Sequence, residues 1–142
     1  MSEVNDRHDL DQVFRVLLPR AREALVAAEG RLAPVGASLD AAGRLHATIT
    51  GPSAEEQQPS AVVDRMIDGF CAQAARGSLR ACGVAYDARV EGPAGSADAI
   101  AFWLEHESGE TATIYLPYTR GANGGFEFGS LIPARGPRRV FL

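Results

Sequence analysis

From about Asp9 to Glu29, apolar residues return at three- and four-residue steps: Leu10, Val13, Phe14, Leu17, Ala21, Ala24, Leu25 and Ala28. That spacing predicts one buried face of a helix. Asp6, Asp9 and Asp11 suit the positive end of its dipole, and Gly30 is placed as a left-handed C-cap. Pro19 predicts a kink or two abutting helices, because it removes a helix hydrogen bond and crowds the preceding turn. Leu32 to Leu39 and Arg44 to Thr50 read as short strands joined by an Asp40–Gly43 loop. In the second of these, Leu45, Ala47 and Ile49 alternate with His46, Thr48 and Thr50.

Ser53 to Glu56 has the capping-box pattern, so a helical turn is expected there. A stronger helix starts near Pro59 and stops at Gly77, with Val63, Met66, Ile67, Phe70, Cys71 and Ala74 as its buried stripe. Gly69 inside it suggests close packing on the sheet. Further strands are expected at Leu79–Val90, Ala99–Glu107, Glu110–Tyr118 and Phe126–Ile132, with a short terminal strand at Arg138–Leu142. Around Ser108-Gly109, Ile100, Phe102, Leu104 and His106 share one face with Ala112, Ile114 and Leu116. Matching the apolar sets requires a loop of odd length or a bulge, and it pairs Leu104 with Ile114 and Phe102 with Leu116. The second helix is expected to cover this face.

The element order, α-β-β-α followed by three or four strands, predicts one α+β domain over residues 1–142. Two main helices pack on an antiparallel sheet of about five to six strands. This order resembles the profilin-like and roadblock-type arrangement, although Pro133, Gly136 and Pro137 stand where a roadblock-type domain carries a C-terminal helix. A cone-like bent sheet is the alternative. The string Arg80 to Arg89, with Asp98-Ala99-Ile100, Leu104-Glu105-His106 and Pro117-Tyr118, is similar to a group of small uncharacterised bacterial proteins. That resemblance brings over no catalytic residue.

Composition narrows the chemistry. All 14 basic residues are arginine, so lysine Schiff-base and lysine general-base chemistry is excluded, and a GC-rich bacterial genome is implied. The net charge of −4 argues against nucleic acid as a partner. No apolar run approaches the roughly 20 residues of a membrane helix. The polar, acidic start Met1–Arg7 lacks the basic and apolar regions of a secretory signal, so a cytoplasmic location is expected. Cys71 and Cys82 are then reduced, buried thiols.

No catalytic motif and no metal spacing emerges, and no cofactor is implied. Gly121–Gly125 lacks the Lys and the following helix of a phosphate loop. Glu105-His106-Glu107 is the densest ionisable cluster; two carboxylates there suit a metal or a shared proton, but a charged, solvated strand end is the simpler reading. His46 reads as a solvated strand residue. Trp103 and Tyr115 share a face with Glu105, Glu107, Thr111 and Thr113, a makeup suited to a contact surface unless the second helix covers it. The leading expectation is a non-enzymatic module binding a protein partner, or itself, through a sheet face or edge. The rivals are a ligand-binding protein or enzyme gathering His46, Glu105, Glu107 and Tyr115, and an immunity-type inhibitor that neutralises a toxin.

Overall fold

The computed structural model describes residues 3–28, 30, 32–48, 58–92 and 95–141. Helix α1 (Glu3–Ala27) is followed by β1 (Val35–Asp40), β2 (Leu45–Thr48), α2 (Pro59–Ala75), β3 (Leu79–Gly92), β4 (Gly95–His106), β5 (Thr111–Arg120), β6 (Phe126–Phe128) and β7 (Ile132–Ala134). The fold is α+β, with an open sheet in the order β2-β1-β3-β4-β5-β6. The short β6 and β7 pair with successive stretches of the outer edge of β5. The expected fourth strand of the second half is thus two strands. The capping box at Ser53–Glu56 lies outside the described residues.

Helix α1 runs unbroken through Pro19, which is exposed on its outer side. Its inner positions Leu10, Val13, Leu17, Ala21 and Leu25 are all buried. They pack on Leu39, Ala81, Ala85, Ile100, Phe102, Leu104 and Leu116. Gly83 makes the contact close: a Cβ there would lie 2.5 Å from Leu104 Cδ2 and 2.9 Å from Leu17 Cδ1. Phe14 meets Phe102 edge to face at 5.1 Å.

The second helix therefore does not cover Phe102 and Leu104, contrary to expectation. It lies on the opposite face, where Val62, Val63, Met66, Ile67 and Phe70 bury Leu79, Cys82, Val84 and Trp103. The reason for the misreading is visible in β4, where every residue from Ala99 to His106 is buried. With both faces covered, alternation cannot say which helix takes which face. Gly69 is not a close-packing site, because a Cβ there would meet open space.

The β4–β5 hairpin keeps the expected faces but shifts register by two. Leu104 pairs with Ala112 and Phe102 with Ile114. His106 and Glu110 close a three-residue loop, Glu107-Ser108-Gly109, in which Gly109 has φ +95°. The odd loop length is as the apolar pattern required. A two-residue slip preserves side-chain faces, so that pattern could not detect it.

Residues 138–141 do not add a strand, and Leu142 of the expected terminal strand lies outside the described residues. After β7 the chain turns back over the α2 side of the sheet, and residues 135–141 form an irregular strap across β5 and β4 towards α2. Gly136 lies so close to β5 that a Cβ would fall 2.2 Å from Thr113 Oγ1 and 3.3 Å from Trp103 Cδ1. Val140 is the strap's buried side chain and joins the α2 cluster.

Candidate functional site

Antiparallel register sorts the α2 side of the sheet into rows. One row is His46–Ser38–Cys82–Glu105–Thr111, and the next is Thr48–Gly36–Val84–Trp103–Thr113–Ala134. A third is Tyr86–Ala101–Tyr115–Ile132. Rows on one face are about 6.6–6.8 Å apart and neighbouring strands about 4.8 Å. His46 thus shares a row with Glu105 but stands three strands away, about 14 Å.

The two residues also have different surroundings. His46 is exposed on the β2 edge, and its Nε2 lies 2.8 Å from Asp40 Oδ2. Asp40 Oδ1 accepts the backbone N–H groups of Ala42 and Arg44, both at 2.9 Å. The His46 bond and these N–H groups hold the Asp40 carboxyl below the usual carboxylate range. His46 is accordingly a hairpin brace.

Glu105 is fully buried and Glu107 is exposed in the turn. The picture of Glu105-His106-Glu107 as a solvated strand end therefore holds only for Glu107. The Glu105 carboxylate accepts the successive strap N–H groups of Arg139 (2.5 Å), Val140 (3.2 Å to each oxygen) and Phe141 (2.5 Å). A buried carboxylate with no cation in contact is tolerated because these dipoles converge on it. Trp103 is 3% exposed, and its Nε1–H donates to Pro137 O at 2.9 Å. Thr111 Oγ1 donates to Gly136 O at 2.9 Å. The surface anticipated around Trp103 is therefore covered jointly: α2 packs on Trp103, as one of the two alternatives had it, and residues 136–141 fill the rest, an occupant outside the choice of helix or solvent. Beside Glu105, burial pushes the Cys82 thiol far above its ordinary value, and the carboxylate adds to the shift. A thiol held protonated in this way is a poor nucleophile.

His106 presents a constellation that sequence reasoning missed. Fully buried, it approaches Asp9 Oδ2 with Nε2 at 2.8 Å. Its Nδ1 accepts the Ser108 N–H at 3.1 Å and lies 3.0 Å from Ser108 Oγ. Among the described residues Asp6 Oδ1 is buried without a hydrogen-bond partner, 3.6 Å from Nδ1, and Arg80 Nη1 stands 3.9 Å from Asp9 Oδ1. The Ser108–His106–Asp9 connectivity is that of a nucleophile relay. The surroundings oppose that chemistry. Ser108 Oγ accepts the Glu110 N–H at 3.3 Å, and the Glu107 and Gly109 N–H groups are bonded to Arg80 O and His106 O. No donor is left at the turn to receive an oxyanion. The cluster instead locks the first turns of α1 onto the β4–β5 turn. The available signal was His106 continuing the apolar row Ile100–Phe102–Leu104, while Asp6 and Asp9 registered only as dipole partners.

The third row stays partly open. Tyr86 and Tyr115 are half-buried on either side of the fully buried Ala101, and Ile132 extends the row with 42% exposure. Leu131 beside it is 45% exposed. Burial pushes the Tyr86 hydroxyl above its usual range, Tyr115 adds to this, and Arg139 of the strap works against it. A separate groove of about 360 Å3, lined by Arg20, Glu23, Ala24, Val35 and Ala47 among others, runs between α1 and the β1–β2 hairpin. Among the described residues its lining holds no histidine, cysteine or aromatic side chain. Among the described residues, no group of His, Cys, Asp or Glu side chains is arranged to hold a metal. No helix among them is long and apolar enough to cross a membrane.

No family model, no curated protein and no solved structure matches this chain.

Proposed function

We propose that the protein is a non-enzymatic binding module whose contact surface is the row Tyr86–Ala101–Tyr115–Ile132. The observation that carries this reading is the row itself. Two half-exposed tyrosines flank a small apolar floor on a rigid sheet, and an exposed isoleucine prolongs the stripe. Tyrosine supplies large contact area with little rotamer entropy to lose, and aromatic residues are enriched where proteins meet. Rigid strands hold the row preorganised, which lowers the cost of association. The enzyme reading finds no comparable support, since His46 and Glu105 do not share a pocket and Glu105 is sealed beneath the strap. An inhibitor of one toxin is a special case of the same module, distinguished by the identity of what it binds.

The test is affinity capture from the native host with wild type, Tyr115→Ser and Ile132→Asp, each checked by circular dichroism and melting. The expected result is one protein retained by wild type and lost from both folded variants. Identical retention by all three removes the row as the contact surface.

A further inference from the structure

The strap is held in an unusual way. Most of its polar contacts are made to its backbone. Glu105 takes three successive N–H groups, Trp103 takes Pro137 O, and Thr111 takes Gly136 O. Cys71 Sγ lies 3.5 Å from Arg139 O. Side-chain selection rests on three neighbouring positions: Arg139 reaches Asp64 of α2 at 3.2 Å, Val140 enters the α2 cluster, and the half-buried Phe141 packs against it. Backbone capture in a preformed groove, with selectivity from alternate side chains, is the physics of peptide recognition. The grip is also local. Residues 135, 137, 138 and 139 are exposed, Val140 is buried, Phe141 is half-buried against the α2 cluster, and the segment has no helix or strand. Segments with so little buried apolar area open without the rest of the fold.

We propose that the groove between α2, β4 and β5 is a peptide-binding site, and that residues 135–141 are its intramolecular occupant. The exchanging ligand is an extended segment of a partner protein with an arginine followed by an aliphatic residue. Its arginine pairs with Asp64, its aliphatic side chain takes the Val140 position, and its N–H groups satisfy Glu105. Charge complementarity selects this chemistry at one position, because Asp64 is acidic and the strap side chain that faces it is Arg139. An open groove strips Glu105 of its three N–H partners, which favours replacement of one occupant by another over an empty groove. This deepens the binding-module reading by naming a second contact, one row along the sheet from Trp103 to Tyr115.

Two measurements on the full chain test it. In wild type, hydrogen exchange of the Val140 and Phe141 amides is expected at least a hundredfold faster than that of Phe102 in β4. Equal protection makes the strap part of the global core and overturns the proposal. Gly136→Val drives a side chain into Thr113 Oγ1 and lifts the strap while leaving the groove intact. Val140→Asp serves the same purpose if the first variant does not fold. A fluorescent peptide with the sequence of residues 134–142 is expected to bind the strap-lifted chain at least tenfold tighter than wild type. Arg139→Glu in the peptide, or Asp64→Asn in the chain, is expected to weaken it several-fold. Binding indifferent to these changes overturns the proposal. A wild-type dimer in light scattering that Gly136→Val abolishes assigns the groove to a second copy's strap, which also overturns it. Tyr115→Ser is expected to leave peptide binding unchanged. Loss of peptide binding with Tyr115-dependent capture intact therefore removes the groove alone, and the converse removes the row alone.

Discussion

The two faces of this sheet are closed by opposite means. On one side, the long helix α1 satisfies its own backbone internally and presents a nearly continuous apolar stripe, from Leu10 to Leu25, to Leu39, Ile100, Phe102 and Leu104. On the other, α2 contributes a shorter stripe, and the sheet surface around Trp103 and Glu105 is covered by a strap without regular structure. A buried irregular backbone must find partners for its N–H and C=O groups. Trp103, Glu105 and Thr111 are those partners. The contrast teaches that polar residues on the solvent-facing pattern of a strand can serve a segment that arrives much later in the chain.

The comparison breaks most sharply in the α1 layer. Phe102→Ala is expected to cost about 3–5 kcal/mol, because Phe102 is fully buried against Phe14 and the cavity cannot be filled from a rigid helix. Chemical denaturation measures it, and a loss under about 1 kcal/mol would show that α1 packs loosely.

Glu105→Gln probes the opposite layer. The amide is nearly isosteric but uncharged, and one of its two heads donates where the strap also donates. A loss of about 3 kcal/mol is expected, in the range for breaking a buried charged interaction. If the strap is a local unit, the hydrogen-exchange protection of Val140 and Phe141 should fall further than that of the β4 amides. Uniform loss would merge the two layers into one cooperative core.

Trp103→Phe keeps most of the apolar area and removes the bond to Pro137 O. The expected cost is about 1 kcal/mol, that of a single neutral hydrogen bond. A cost as large as that of Phe102→Ala would mean that the indole N–H, and not packing, holds the strap.

The smallest effect lies at the sheet edge, outside both layers. Asp40 has its carboxyl held below the ordinary value of 3.8, first by the His46 bond and then by backbone N–H groups. A depressed folded value gives stability that is present above the ordinary value and lost as pH falls through the depressed one. His46→Ala should move the Asp40 titration, followed by carboxyl NMR, back towards 3.8 without abolishing the shift, since Ala42 and Arg44 still donate. No movement on substitution would remove His46 as the brace.

Local signals carried a large part of this fold. The α1 stripe, the Pro59–Gly77 helix, the Asp40–Gly43 turn and the odd-length turn at Gly109 are written in short-range periodicity and in residues suited to positive φ. The α+β class follows from their order. Of the candidate site, Tyr115 was recognisable from strand alternation and Trp103 from its aromatic character on a polar face. The helix part of the cover over Trp103 was among the alternatives, but the strap part was not legible, because it comes from residues 34 positions later.

The features that local pattern leaves open share one physical origin. Face, register and cover are non-local quantities. Both faces of β4 are buried, so its pattern cannot distinguish α1 from α2. A two-residue register shift changes partners without changing faces, so hydrophobic matching is blind to it. Glu105 and His106 carry ionisable side chains, and sequence reasoning sends such groups to water because burying them alone is costly. Three strap N–H groups offset that cost for Glu105, and Asp9 with the Ser108 turn does so for His106. Those partners meet only when distant segments are folded together, so short-range pattern specifies most of the elements, while long-range contacts select which polar groups lie inside.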